Sequence, residues 1–326
     1  MLDVKVKIEL SKVVGKLGFG YPLILKAGVE DAAVPYVVCK SLEEVVAAGF
    51  AVESDVYAAA QLIFKQENAP EKIAVYASEA DVVAAITSVL DKDWRQLVVL
   101  GQNDLATVKT IADVIESTRK MYFACVESID ASLDSEKYDR TVLFVHPSAD
   151  AVAALVGEAA GREVGSFTYK NLILAGVEPQ VYTSAQLEAI HEKGGMTLVT
   201  KAGDNVTSEG KSQSGEYIDV TDSIDYVLQQ IEYKLQKVLN NAAKVPYDNR
   251  GIALLESAVL TVLQDAYNKG IIAEREDGTG DYSVSFAARS ETSEEDRASR
   301  YYPYGKFTFA LAGAIHMVEI TGEIIY

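Results

Sequence analysis

Cysteine and histidine are scarce in this chain of 326 residues, with two of the first and three of the second, and no run of five or more basic residues occurs. Cys39 and Cys125 each sit in an apolar, strand-like stretch (Val37-Val38-Cys39 and Phe123-Ala124-Cys125-Val126). That placement suits small buried hydrophobes, excludes a disulfide framework and points to a reducing compartment. His146, His191 and His316 lie far apart, and none has the spacing of a metal-ligand motif. His146 is expected to end a strand before Pro147, His191 to sit near a helix C-terminus where its charge suits the dipole, and His316 to lie in the last strand. Phosphate binding needs clustered Lys and Arg, so the absence of a basic run, with a net charge of −18 and a pI near 4.6, argues against nucleic acid and against an anionic membrane surface. Lys and Glu interrupt every apolar run before membrane-spanning length, and the N-terminus lacks the pattern of a signal peptide, so assembly in a cytoplasm is expected.

What the chain does have is strand-like alternation at both ends. Val4-Lys5-Val6-Lys7-Ile8-Glu9-Leu10 alternates apolar and polar residues, and Val318-Glu319-Ile320-Thr321 does the same near the C-terminus. Neither segment has a partner nearby in sequence, and a lone strand is not stable. Each must join a sheet, and a strand completed by another copy would make the molecule a link in a polymer. The residues that would form such inter-subunit arms are Val4, Val6, Ile8, Leu10, Val318 and Ile320.

Between the arms, 49% apolar residues suffice for one large or two ordinary cores. From about 41 to 200 helical and strand patterns alternate. Ser41 and Glu44 have capping-box spacing, a helix starts at Ser54, apolar runs at 73–77, 97–100, 122–126 and 142–145 read as strands, and helical patterns occupy 80–91, 104–117 and 148–160. Thr183 and Gln186 box a further helix. This order predicts an α/β core with Rossmann-like alternation and a mostly parallel sheet.

The character changes after Gly203. Residues 203–215 read as an exposed polar loop and Glu216–Thr221 as a strand. A long helix is expected from Ser223 to Ala243 on the stripe Ile224, Val227, Leu228, Ile231, Leu235, Val238 and Leu239. Pro246 breaks it, and Asp248 or Asn249 caps a second helix over 250–269, whose stripe is Leu254, Leu255, Ala258, Val259, Val262, Leu263 and Ala266. Residues 283–288 and 306–321 return to strand, around a charged loop at 289–300. The expected division is an N-terminal arm (1–16), an α/β core (17–202, with a possible small insertion at 21–70), an α+β C-terminal domain (203–313) and a C-terminal arm (314–326).

A search for chemistry finds little. Gly210-Lys211-Ser212 resembles the tail of a phosphate-binding loop, but the first required glycine falls at Asn205 and a strand is expected next rather than a helix. Gly18-Phe19-Gly20 starts like a dinucleotide fingerprint, yet Leu23 occupies the third glycine position. No paired-carboxylate or metal-loop signature occurs. No catalytic residue, cofactor or metal is therefore expected.

The loop 203–214, then Gly215-Glu216-Tyr217-Ile218-Asp219-Val220, then Asp225-Tyr226-Val227 opening a long helix, resembles contractile tail sheath proteins of bacteriophages and phage-tail-like bacteriocins. The segment Leu42-Glu-Glu-Val-Val with Gly49-Phe50, followed by Tyr57–Phe64, looks like that family's middle region. The resemblance implies a non-enzymatic subunit that polymerises with itself as stacked homohexameric rings around a tail tube protein, within a virion or tailocin particle that also holds baseplate and tail terminator proteins. It implies terminal arms that add strands to neighbouring subunits, a C-terminal domain facing the tube, and contraction that drives the tube through a target envelope. Lys234, Lys237, Lys244 and Arg250 are the tube-facing candidates. The competing expectations are a nucleotide-dependent α/β enzyme, favoured by the alternation and the Gly-Lys-Ser loop, and a ring-forming baseplate or tube component.

Overall fold

The computed structural model describes residues 19–30, 32–128 and 138–319; Val4, Val6, Ile8, Leu10 and Ile320 lie outside them. The described chain divides after Gln229 into two compact units.

The first unit is built on a seven-stranded sheet. Its elements in chain order are β1 (Tyr21–Ala27), β2 (Val34–Cys39), α1 (Leu42–Ala47), α2 (Asp55–Phe64), β3 (Ile73–Ser78), α3 (Val82–Thr87), β4 (Trp94–Leu100), α4 (Leu105–Ile115), β5 (Met121–Val126), β6 (Thr141–Val145), α5 (Ala151–Ala160), α6 (Ser184–Glu192) and β7 (Gly195–Met196). The sheet order is β2-β3-β1-β4-β5-β6-β7. All pairings are parallel except β2 with β3, which is antiparallel at the edge. Residues 21–70 thus supply the strand that pairs with both β3 and β4, together with the edge strand.

Both sheet faces are covered, which explains why β4, β5 and β6 are buried throughout instead of alternating. One face packs Val98, Phe123 and Val142 against α2 and α5, and the other packs Leu97, Tyr122 and Leu143 against α3 and α4. Cys39 and Cys125 are free and buried, as expected. Thr183 and Gln186 close a full capping box on α6; Ser41 caps α1 by accepting from the Glu44 amide, while the Glu44 carboxylate takes the Lys40 amide instead.

Helices α2 and α5 meet at Gly157, where a Cβ would stand 2.6 Å from Ile63 Cα and 2.8 Å from Ile63 O. Helix propensity alone favours Gly157→Ala by about 1 kcal/mol. Contact with backbone outweighs that gain, because the helices would have to separate. Gly157→Ala is expected to destabilise the first unit by about 1–3 kcal/mol in chemical unfolding.

Two expectations at 203–221 are corrected. Residues 203–215 are not an exposed loop: β8 (Leu198–Lys201) and β9 (Asp204–Thr207) form an antiparallel hairpin, and Ser208, Ser212 and Gln213 are buried. The Gly signal marks the two-residue turn, where Ala202 and Gly203 both have positive φ (52° and 96°). Glu216–Thr221 is not a strand, since helix α7 begins at Ile218 and runs to Asn241. Ile218, Thr221, Asp222 and Asp225 recur at helical spacing and are all buried, which overrides the β-branched composition.

The second unit contains the remainder of α7, then α8 (Asn249–Asn268), β10 (Tyr282–Phe286), α9 (Glu294–Ser299) and β11 (Gly305–Phe309). Asp248 caps α8 by accepting from the Arg250 and Gly251 amides. The α8 stripe is buried at Ala258, Val259, Val262, Leu263 and Ala266, but Leu254, assigned to it from spacing, is 51% exposed. Strands β10 and β11 pair antiparallel in a two-stranded sheet. The charged segment 289–300 is partly helical rather than loop: the Ser293 side chain accepts from the Asp296 amide, and three acidic residues fill the first turn of α9. Residues 312–319 hold no strand, so His316 does not lie in one.

Candidate functional site: a buried ionic cluster and the exposed segments

The densest polar constellation lies under the start of α7, within the first unit. Asp222 and Asp225 are three residues apart on that helix and so share a face. Arg95, second residue of β4, reaches both: Nη2 donates to Asp222 Oδ1 at 2.5 Å and Nη1 to Asp225 Oδ2 at 2.7 Å. Nη1 also donates to the Arg119 carbonyl. Arg140, just before β6, donates to both oxygens of Asp225 at 2.5 and 3.0 Å. Tyr169 donates its hydroxyl to the second Asp222 oxygen at 2.8 Å, and the Phe19 ring centroid lies 4.5 Å from the Arg95 guanidinium.

Side-chain exposure is 3% for Arg95, 8% for Asp222 and 4% for Asp225. Charges so enclosed persist only when balanced, and two guanidinium groups here face two carboxylates. Burial acts against the charge on Arg95, but the neighbouring Asp222 and Asp225 more than offset it and raise its pKa. Burial likewise pushes Asp225 upward, yet the Arg140 hydrogen bonds and the charges of Arg95 and Arg140 prevail and hold it below the usual carboxylate range. Nearby, Lys120 donates to the Lys92 and Trp94 carbonyls, and burial and Arg95 bring its pKa down to about 8. The cluster ties the first turns of α7 to the N-terminal ends of β4 and β6. Enclosed, with its opposite charges paired to one another, it holds structure together.

Sequence reading missed Arg95, Arg140, Asp222, Asp225 and Tyr169. Their signals were an arginine in a mostly apolar strand and two aspartates at helical spacing.

Strand order reverses between β1 and β4, the place where doubly wound sheets take ligands. There Lys26 is paired with Asp55 at 2.6 Å, and the neighbouring cleft is lined by Asn103, Asp104, Leu105, Glu127 and Ser128. An acidic lining is unsuited to phosphate. A helix does follow Gly210-Lys211-Ser212, contrary to the expected strand, but Lys211 Nζ lies 4.9 Å from the Tyr217 ring centroid and Ser212 donates to the Glu216 carbonyl. Asn205, in place of the first glycine, belongs to β9. Among the described residues no group of three or more His, Cys, Asp or Glu could hold a metal ion. His146 has a structural role, accepting from the Ser148 amide and donating to the Glu178 carbonyl.

The remaining sequence candidates lie at the surface of the second unit. Lys234, Lys237, Lys244 and Arg250 are exposed, with Arg250 held by Asp248 at 2.9 Å. Val318 is 72% exposed, beside exposed Ile315 and Met317.

Residues 218–324, beginning at the first residue of α7, match the family model for the C-terminal domain of E217 gp31-like tail sheath proteins. The whole chain superposes on the contracted helical sheath of the anti-feeding prophage with a TM-score of 0.74 at 14% identity, covering 99% of this chain and 98% of that one. This is the tail sheath fold. It extends to the contracted PVC sheath of an extracellular contractile injection system (TM-score 0.68, 12% identity, 99% and 97% covered) and to a sheath tail protein from Listeria innocua (0.61, 10%, 92% and 97%). No curated protein sequence matches the chain. The C-terminal third matches a tail sheath domain, and the parallel-rich sheet before it shares the fold of the sheath structures.

Proposed function

We propose that the chain is a structural subunit of a contractile tail sheath, polymerising as stacked hexameric rings around a tail tube and contracting to drive that tube through a target cell envelope. The match of residues 218–324 to the tail sheath C-terminal domain carries this reading. The balanced, enclosed ionic cluster and the acidic switch-point cleft support a structural rather than catalytic role.

The terminal arms are the connecting device. An isolated two-stranded sheet is marginal, and among the described residues β10–β11 in the second unit carries no further strand on either edge, where strands from neighbouring copies can add. A head-to-tail contact of this kind does not close on itself and generates a helical polymer. Main-chain bonds along the arms tether subunits while their bodies swing, and contraction follows from burying further surface between copies. Lys234, Lys237, Lys244 and Arg250 are the groups we assign to the tube side, with the baseplate and tail terminator at the two ends of the tube. Assembly takes place in the cytoplasm of the host bacterium.

Electron microscopy of the purified full chain tests the reading: ribbed cylinders are expected, whereas closed rings would indicate a baseplate or tube component. Calorimetric titration with magnesium ATP is expected to give no heat of binding. Binding that Lys211→Ala abolishes would favour the nucleotide-dependent enzyme.

A further inference from the structure

The chain carries a net charge of −18, so copies brought together in a polymer repel one another unless opposite charges meet at their contacts. One part of the first unit departs from that acidic balance. Around the β8–β9 hairpin, Lys170, Lys201, Lys211 and His191 gather with Glu209. Asp204 stands opposite Lys201 in the hairpin, and with it counted and the histidine neutral this group carries a net charge of +1.

The lysines are partly buried and held in place. Lys201 Nζ donates to the Ser208 carbonyl at 3.2 Å and to Asn171 Oδ1 at 3.3 Å. Lys170 Nζ lies 3.4 Å from Glu209, with both side chains 16% exposed. His191 Nε2 is 2.9 Å from Ser208 Oγ. Side chains already fixed lose little freedom on meeting a partner. Burial, then the neighbouring Lys170, lower the Lys201 pKa against the opposing pull of Glu209, as expected where positive charge is in excess. Alongside, Ile173 bridges to Val206 of β9 and remains 62% exposed. Exposed apolar surface beside fixed charge is the composition of a protein interface.

We propose that this basic cluster and Ile173 form a contact between copies, receiving carboxylates from the acidic surface of a second copy of the chain. The proposal rests on the sheath reading, since it needs copies to assemble. Glu209 and Asp204 do not balance three lysines. A carboxylate from an adjoining copy supplies the missing charge and gains charge-assisted hydrogen bonds.

The test uses tubes grown from an equal mixture of unlabelled and heavy-nitrogen-labelled full chain. A carbodiimide joins touching lysine and carboxylate side chains, and mass spectrometry separates links within one copy from mixed-mass links between copies. The Lys170–Glu209 link within one copy is the internal standard. We expect mixed-mass links from Lys170, Lys201 or Lys211 in tubes and none in unassembled subunits, with acylation of these lysines at least tenfold slower in tubes. Tubes that form while these lysines give no link between copies and acylate as fast as in free subunits would overturn this contact and leave the sheath reading intact. Failure to form tubes at all would overturn both.

Discussion

Replacing Asp225 with alanine is expected to lower the stability of the first unit by about 3–5 kcal/mol, because it strips a buried carboxylate from Arg95 and Arg140 together. A surface ion pair removed in the same way costs about 0–1 kcal/mol. What separates the two is enclosure, since Arg95 would remain charged and only 3% exposed with one partner gone. Guanidinium unfolding of the purified chain measures the change, and a loss below about 1 kcal/mol would mean that water relieves the site.

The same carboxylate makes stability depend on acid. Burial raises the Asp225 pKa, but hydrogen bonds from Arg140 and the charges of Arg95 and Arg140 bring it below the usual value. Its folded pKa therefore lies below its unfolded one. The stabilisation is complete above the unfolded value, about 3.9, and is lost as pH falls through the folded value. Wild-type stability should accordingly fall in acid below about pH 4, with a shallower slope in Asp225→Asn.

Truncating residues 1–10 or 315–326 should abolish long tubes while leaving the subunit folded. The removed C-terminal piece includes Ile315, Met317 and Val318, which are exposed and belong to neither core. Its effect on assembly is expected to be all-or-none, because a polymer held by strand addition loses its tether when the strand is absent. Far-ultraviolet circular dichroism checks the fold, and negative-stain microscopy counts the tubes. Long tubes from either truncated chain would contradict the arm mechanism.

The first unit was legible in sequence wherever local and tertiary signals agreed. Apolar runs without alternation announced strands covered on both faces, and side-chain caps at Ser41, Ser54 and Thr183, like Asp248 in the second unit, placed helix starts to within a residue. Misreadings fell where tertiary contacts decided. Ile218-Asp219-Val220-Thr221 has strand composition, but Arg95 lies more than a hundred residues away, and only its meeting with Asp222 and Asp225 reveals that the segment is helical. Gly203 was taken for a loop residue because a hairpin turn and an exposed loop share composition, and only the pairing of Lys201 with Asp204 separates them. Leu254 fits a helical stripe by spacing alone, while the surface available to α8 covers a narrower face. The basic cluster around Ser208 was invisible because its residues come from four separated stretches.

An electron cryomicroscopy map of assembled tubes, detailed enough to follow the backbone from Met1 and to Tyr326, tests the central claim most directly. The account predicts that both ends leave their own subunit and hydrogen-bond as strands to β10 or β11 of adjoining copies. Ends folded back and fully paired within their own subunit would contradict it.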